Sequence, residues 1–336
     1  MYWNPRIVLP YQRHFNFING ERSIGKTYNT EMFFIEKYLE RKDEFVYLVR
    51  TQDEKKNGIL KDAFAKVINN HFSDYDFDFT NDTMTIENND GVIETVGHCL
   101  ALSEYQKVKK MSFPNVKYLM FDEYMLESGG RYFNGWKEPD VFLNLYHTID
   151  REEDRVICFL LGNTTTFYNP YHMHPAFNIP HISPGEIWKG KNVLFQWAVK
   201  DEELKDQKKN NKFLEMVQGT TYDKYANKGN YIEDKGTFIK QRPEYARHIF
   251  VIQYLDKNFG VWYSDRTNEY FIDEKHDPFC RLQFALSTDD HNDTNFFTRG
   301  KDSLIATLLK NYKRGNVKFA SMKVKKMLEN QLYRLL

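Results

Sequence analysis

Cysteine is scarce in this chain: three in 336 residues, Cys99, Cys158 and Cys280, odd in number and far apart. That excludes a disulfide framework, and a chain of this length can bury a core without one. Long hydrophobic runs are missing too. Apolar stretches such as Tyr118–Phe121 end after four to six residues, where a membrane span takes about 20. The opening Met1-Tyr2-Trp3-Asn4-Pro5 lacks the basic-then-apolar pattern of a secretion signal, so a reduced, cytosolic protein with no membrane partner is expected. Nor is there an excess of one charge. Lys+Arg and Asp+Glu are equal at 47 each, and 28% charged against 41% hydrophobic residues argues against bulk disorder.

The balanced sum hides an asymmetry. From Gly300 to Leu336 nine basic residues stand against Asp302 and Glu329, a balance of +7 that leaves −7 on the first 299 residues. Such a tail is either a polyanion site or an ordinary solvated helix face.

Phe15–Asn19 alternates and runs into Gly20, which reads as a short strand entering a glycine turn. Met32, Phe33, Ile35, Tyr38 and Leu39 are spaced for one buried helix face, and Phe45–Val49 is a continuous strand of the kind buried on both faces. Two alternating stretches, Phe77–Ile86 and Val92–Leu102, flank an Asp90-Gly91 hairpin turn. Strands at Val116–Phe121 and Val156–Leu161 enclose a helix at Val141–Ile149. This alternation predicts an α/β unit with a mainly parallel sheet over 1–197. Polar, weakly periodic sequence suggests a linker over 198–235. Residues 236–336 change to a strand meander (Thr237–Lys240, His248–Tyr254, Val261–Ser264, Tyr270–Ile272, Leu282–Leu286) closed by helices near Ser303–Tyr312 and Phe319–Leu335, a smaller α+β domain.

Gly20-Glu21-Arg22-Ser23-Ile24-Gly25-Lys26-Thr27 is a complete phosphate-binding loop with a strand before it and a helix after it. Its glycines let backbone N–H groups turn toward phosphate oxygens at the positive end of a helix. Lys26 would reach the β- and γ-phosphates, and the Thr27 hydroxyl would ligate Mg²⁺. About 95 residues on, the buried run Tyr118–Phe121 ends in Asp122-Glu123, where Asp122 would hold the Mg²⁺ water shell and Glu123 polarise an attacking water. That pair separates reaction classes. A small-molecule kinase needs no water-activating glutamate, and a GTPase should carry an Asn-Lys-x-Asp guanine reader, which is missing. The fit is to ATP-hydrolysing P-loop NTPases of the additional-strand, catalytic-glutamate class, with Asn163 at the next strand end as the γ-phosphate sensor. Arg151 and Arg155, at the end of the preceding helix, are either a source of the cation such enzymes need or a favourable solvation of the helix's negative pole.

The chain resembles the DNA-packaging (encapsidation) ATPases of small short-tailed bacteriophages of the Picovirinae type. The likeness rests on Gly20–Thr27 including Arg22, on Phe121-Asp122-Glu123, on Leu143-Asn144-Leu145 with Thr148 and Arg151, and on Cys158–Asn163. Gly260-Val261-Trp262, His276-Asp277-Pro278, Thr288-Asp289-Asp290 and Tyr2 with Asn4-Pro5 make it specific and extend it over essentially the whole chain. The resemblance implies a homomeric ring, usually of five subunits, docked in the host cytoplasm on the portal vertex of a procapsid and driving double-stranded DNA inward with ATP and Mg²⁺. It makes Arg151 a finger acting in the neighbouring subunit and the C-terminal domain a ribonuclease H-like fold without cleavage. The absence of a carboxylate on His248–Tyr254 agrees with that loss; Asp289-Asp290 stands as a candidate metal pair against a plain loop.

Some members of that family also bind a packaging RNA, and the basic tail with Lys323, Lys325 and Lys326 suits either polyanion. Lys55, Lys56, Lys107, Lys109 and Lys110 are candidate DNA-gripping residues, or plain surface. His172-x-His174 lacks the further ligands a zinc site needs, and the 16% aromatic content reads as core packing. Two rivals remain: a ring translocase or helicase not tied to capsids, and a non-enzymatic, RNA-binding capsid component.

Overall fold

The structure is a computed structural model that describes residues 2–127, 130–200, 212–217, 219–220, 236–298 and 303–336. The chain divides into two compact units, Met1–Glu233 and Asp234–Leu336.

Among the described residues, the first unit is built on a nine-stranded sheet in the order β3-β4-β5-β2-β6-β7-β1-β9-β8. The strands are β1 (Phe15–Gly20), β2 (Glu44–Val49), β3 (Phe77–Phe79), β4 (Thr83–Glu87), β5 (Ile93–Ala101), β6 (Val116–Asp122), β7 (Ile157–Asn163), β8 (Ile187–Lys189) and β9 (Val193–Ala198). The six middle strands, from β5 to β9 in that order, run parallel, and antiparallel strands finish both edges. Their near-continuous apolar character follows from helices covering both faces. On one face Phe33, Phe34 and Tyr38 of α1 (Lys26–Arg41) pack with Leu60, Phe64 and Val67 of α3 (Ile59–His71). On the other lie Val141, Phe142, Leu145 and Ile149 of α5 (Glu138–Asp150), with Tyr171 of the short α6 (Pro170–Met173).

Strand β7 lies between β1 and β6, so the parallel carboxyl ends of these three strands arrive side by side, with Gly20 level with Asn163 and Asp122 level with Leu161. Ligands of open α/β sheets bind at this edge.

Several expectations change. The single stretch Phe77–Ile86 is two antiparallel strands, because the Thr80 hydroxyl accepts from Asp82 and Thr83 N–H groups (3.1 and 2.9 Å) and reverses the chain there. The first unit extends past residue 197: β9 runs to Ala198 and Lys200 is buried. The rest of the linker proposed at 198–235 lies largely outside the described residues; within it, Lys212–Val217 is helical.

The second unit carries a six-stranded sheet ordered β14-β13-β10-β11-β12-β15 among its described residues. β10 (Arg247–Tyr254), β11 (Lys257–Ser264) and β12 (Glu269–Asp273) form an antiparallel meander. β13 (Gln283–Ala285) and β14 (Phe296–Phe297) add in parallel beyond β10, and β15 (Val317–Phe319) adds beyond β12. Thr237–Lys240 is not a strand but a single bridge from Ile239 to Phe319. Phe319 belongs to β15, so the last helix begins later than expected, at Met322, capped by the Ser321 hydroxyl.

Candidate active site

Gly25, at φ 88°, makes the left-handed turn that starts α1, and a Cβ there would lie 2.9 Å from the Asn29 amide nitrogen. Only glycine fits both conditions comfortably. Gly20 leaves the sheet just as tightly, since a Cβ would sit 2.3 Å from the Ala198 carbonyl oxygen. The loop between them lines a cleft of about 380 Å³ with Arg22, Ser23, Ile24, Gly25, Lys26, Thr27, Tyr28, Asp122, Glu123, Gly162 and Asn163.

Lys26 is buried, its ammonium donating to the carbonyls of Gly20 and Glu21 (3.1 and 2.9 Å) and lying 3.5 Å from Asn163 Oδ1. Burial lowers its pKa to about 8 against the opposing pull of the Asp122 and Glu21 carboxylates. The Thr27 hydroxyl donates to Asp122 Oδ2 at 2.7 Å. A hydroxyl and a carboxylate held together at a helix start, beside an ammonium, form a donor set suited to a Mg²⁺-bound polyphosphate. Burial also pushes the Asp122 carboxyl upward, opposed by its bonds from Thr27 and the Glu123 N–H. Glu31, one helical turn beyond Thr27 and buried, is pushed up to about 9 by desolvation and by Asp122.

Glu123 is exposed at the cleft with its backbone at φ 53°. Its N–H donates to Asp122 Oδ1 (2.9 Å), and its carbonyl accepts from the Arg50 guanidinium (3.3 Å). Arg50 is in turn fixed by a buried ion pair with Glu138 (2.9 Å) and donates to the Tyr124 carbonyl (3.0 Å). Burial, then Asp122 and Glu127, raise the Glu123 carboxyl. Arg22 pairs with Glu127.

The structure therefore brings together the residues of Gly20–Thr27, Asp122, Glu123 and Asn163. Arg151 stands apart from them. It ends α5 in a left-handed conformation (φ 54°), exposed, donating to the Met111 carbonyl at 3.1 Å. Asp150 shapes the turn beneath it by accepting from the N–H groups of Asp154, Arg155 and Val156 (3.1, 2.9 and 2.9 Å). The Arg155 guanidinium donates to the carbonyls of Val116, Phe113 and Ile149 and pairs with Glu153.

The lysines divide. Lys55 is 13% exposed and paired with Asp82 (2.5 Å) and Glu104 (2.8 Å). Lys107 pairs with the same Glu104 (2.9 Å), and Lys109 lies over the Tyr105 ring, while Lys56 and Lys110 are exposed. Lys325 is buried and Lys323 pairs with Glu274 (2.7 Å), so neither offers an open charge; Lys326 is half-buried. The exposed charges of the basic tail are Lys310, Lys313, Arg314 and Arg334. Lys301 lies outside the described residues. The Asp290 carboxylate accepts from the Leu255 and Asp256 N–H groups (3.1 and 2.8 Å) and from Ser287, holding the β10–β11 turn.

The sequence from residue 1 to residue 335 matches the family model described as podovirus DNA encapsidation protein (Gp16). The chain belongs to that family. Similar relatives are the DNA packaging protein of Bacillus phage phi29 and that of Bacillus phage B103. The first is 28% identical over 299 residues, covering 87% of this chain and 85% of the relative. The second is 26% identical over 331 residues, covering 97% and 96%. Among solved structures, the bacteriophage Phi-29 viral genome packaging motor assembly is similar in fold, with TM-score 0.75 and 22% identity over 100% of this chain and 99% of that one. The N-terminal domain of the DNA packaging ATPase from bacteriophage phi29 is 27% identical at TM-score 0.50, covering 60% of this chain and 96% of that one. The chain is thus a phage DNA packaging protein with a mixed α/β fold.

The sequence pattern does not announce Arg50, Glu138 or Tyr124, and His172 stands out there only for its spacing to His174. Their partners lie 88 and 48 positions away in the chain, and no local pattern announces such pairs.

Proposed function

We propose that this protein is the ATPase of the packaging motor, hydrolysing ATP to drive double-stranded DNA into a procapsid. One observation carries the reading: a buried lysine and a hydroxyl following β1, and a carboxylate and a raised glutamate at the end of β6, stand around one cleft with β7 between those strands. The placement of β7 between β1 and β6 supports the additional-strand, catalytic-glutamate class. Lys26 neutralises and holds the β- and γ-phosphates, and loop N–H groups cradle them. Thr27 and Asp122 would hold Mg²⁺, which supplies further neutralisation of the phosphate oxygens when bound. Glu123 orients the water that attacks the γ-phosphorus and takes its proton as the bond to the ADP oxygen breaks. Its raised pKa moves it toward the basicity such a role needs. Asn163, in reach of Lys26, senses the γ-phosphate.

Arg151 lies outside its own cleft, which supports a role in the cleft of a neighbouring subunit and hence a homomeric ring, five subunits being the family expectation. The second unit supports a ribonuclease H-like reading: the antiparallel meander with two parallel strands beyond its first member gives that order. On β10 a nuclease would need a carboxylate; Arg247–Tyr254 carries none, which supports loss of cleavage. Lys56, Lys109 and Lys110, with the exposed tail cations, are the proposed contacts to DNA or a packaging RNA, binding phosphate without regard to sequence. The motor acts at the portal vertex in the host cytoplasm.

The test is DNA-stimulated ATP hydrolysis by purified subunits. Wild type should turn over, Arg151→Ala and Lys26→Ala should each fail, and their mixture should recover a fraction, because an intact loop then meets an intact arginine. No hydrolysis by wild type, or full activity in either variant alone, contradicts the reading.

A further inference from the structure

Chain neighbours of the phosphate loop, of Glu123 and of Asn163 meet at the back of the cleft. Asn19 precedes Gly20, Tyr124 follows Glu123, and Gly162 precedes Asn163. The Tyr124 hydroxyl donates to Asn19 Oδ1 (2.6 Å) and lies 2.7 Å from His172 Nε2, which is itself 3.3 Å from Asn19 Nδ2. Asn19, Tyr124 and His172 are all fully buried. Gly162 closes the group, because a Cβ there would lie 2.9 Å from the Tyr124 ring and 3.1 Å from Asn19 Oδ1. Desolvation lowers His172 to about 3, so its ring is neutral at working pH.

Core packing alone does not call for this arrangement. Phe17, Phe167 and Phe195 surround these groups, and an apolar side chain in place of each polar one would fill the space without desolvating three of them. The polar cluster instead ties together the strand ends that carry the phosphate loop, the water-orienting glutamate and the sensor. Glu123, whose left-handed backbone conformation a non-glycine residue adopts at a cost, is the one most in need of an anchor.

We propose that Asn19, Tyr124 and His172 are positioning residues for ATP hydrolysis, fixing where the Glu123 carboxylate stands relative to the phosphate loop and Asn163. The proposal rests on the ATPase reading above. Removing the hydroxyl frees the residue next to Glu123 while leaving every nucleotide contact in place. Displacements on the order of 1 Å in a reacting group cost about a hundredfold in rate, so a partial displacement should cost about tenfold.

The test is steady-state ATP hydrolysis, nucleotide binding and thermal unfolding of full-length Tyr124→Phe, His172→Leu and His172→Gln. Tyr124→Phe and His172→Leu should lose about tenfold or more in kcat, with the Kd for a non-hydrolysable ATP analogue within about twofold of wild type and Tm little changed. His172→Gln, which keeps a polar group able to bond the Tyr124 hydroxyl, should recover part of the loss. Unchanged kcat in Tyr124→Phe overturns the proposal. So does a loss of kcat matched by equal losses of binding and Tm, since that marks a packing role. A wild-type protein that binds no nucleotide would instead remove the ATPase reading on which the proposal stands.

Discussion

Burial lowers the Lys26 ammonium to about 8, while the carboxylates of Asp122 and Glu21 pull it up and the cations of Lys200 and Arg22 push it down. A polyphosphate beside it adds negative charge and must raise it again. The sign follows by linkage: near pH 8 binding takes up a proton, and affinity falls as pH rises through that value. Calorimetry at pH 8 in two buffers of different ionisation heat should show net proton uptake, absent in Lys26→Ala if binding remains measurable. The chemistry of Lys26 and Thr27 was legible in the sequence because a phosphate loop is contiguous. The groups that tune them were not: Lys200, which brings its ammonium 3.0 Å from the buried Glu21 carboxylate, comes from the far end of the unit.

At the scale of elements, the buried parallel strands announce themselves by apolar runs bounded by charge, and β1, β2, β6 and β7 stand within two residues of where periodicity put them. α3 and β9 were not read. In α3 the apolar positions Leu60, Phe64 and Val67 are interleaved with Lys61, Asp62 and Lys66, and β9 becomes a strand by pairing with β1, a partner far away in sequence. Such pairing also sets close contacts. Gly97 of β5 stands beside Phe45 of β2, and a Cβ on it would come within 2.3 Å of the Phe45 ring. That ring stacks on Phe34 and Phe64 at centroid distances of 5.1 and 4.9 Å, so it has nowhere to go. Gly97→Ala should cost about 1–3 kcal/mol by overpacking, read as a lower midpoint in denaturant unfolding; an unchanged midpoint would show that the stack yields.

For the whole molecule, net charge is zero because an acidic first part balances a basic last part. The fold reduces that contrast, since Lys318 and Lys323 face Glu269 and Glu274 of the acidic part. Among the tail's described residues the exposed cations are Lys310, Lys313, Arg314 and Arg334. A motor that must grip and release DNA in every cycle is served by few contacts, each salt-sensitive, better than by a uniformly basic surface. The central claim is that hydrolysis aligned by Glu123 moves the DNA. Its direct test is protection of DNA from nuclease after incubation with procapsids, ATP and either wild-type protein or Glu123→Gln. The account predicts that wild type protects DNA only with hydrolysable ATP, while Glu123→Gln binds ATP and protects none. Packaging by Glu123→Gln at the wild-type level would contradict it.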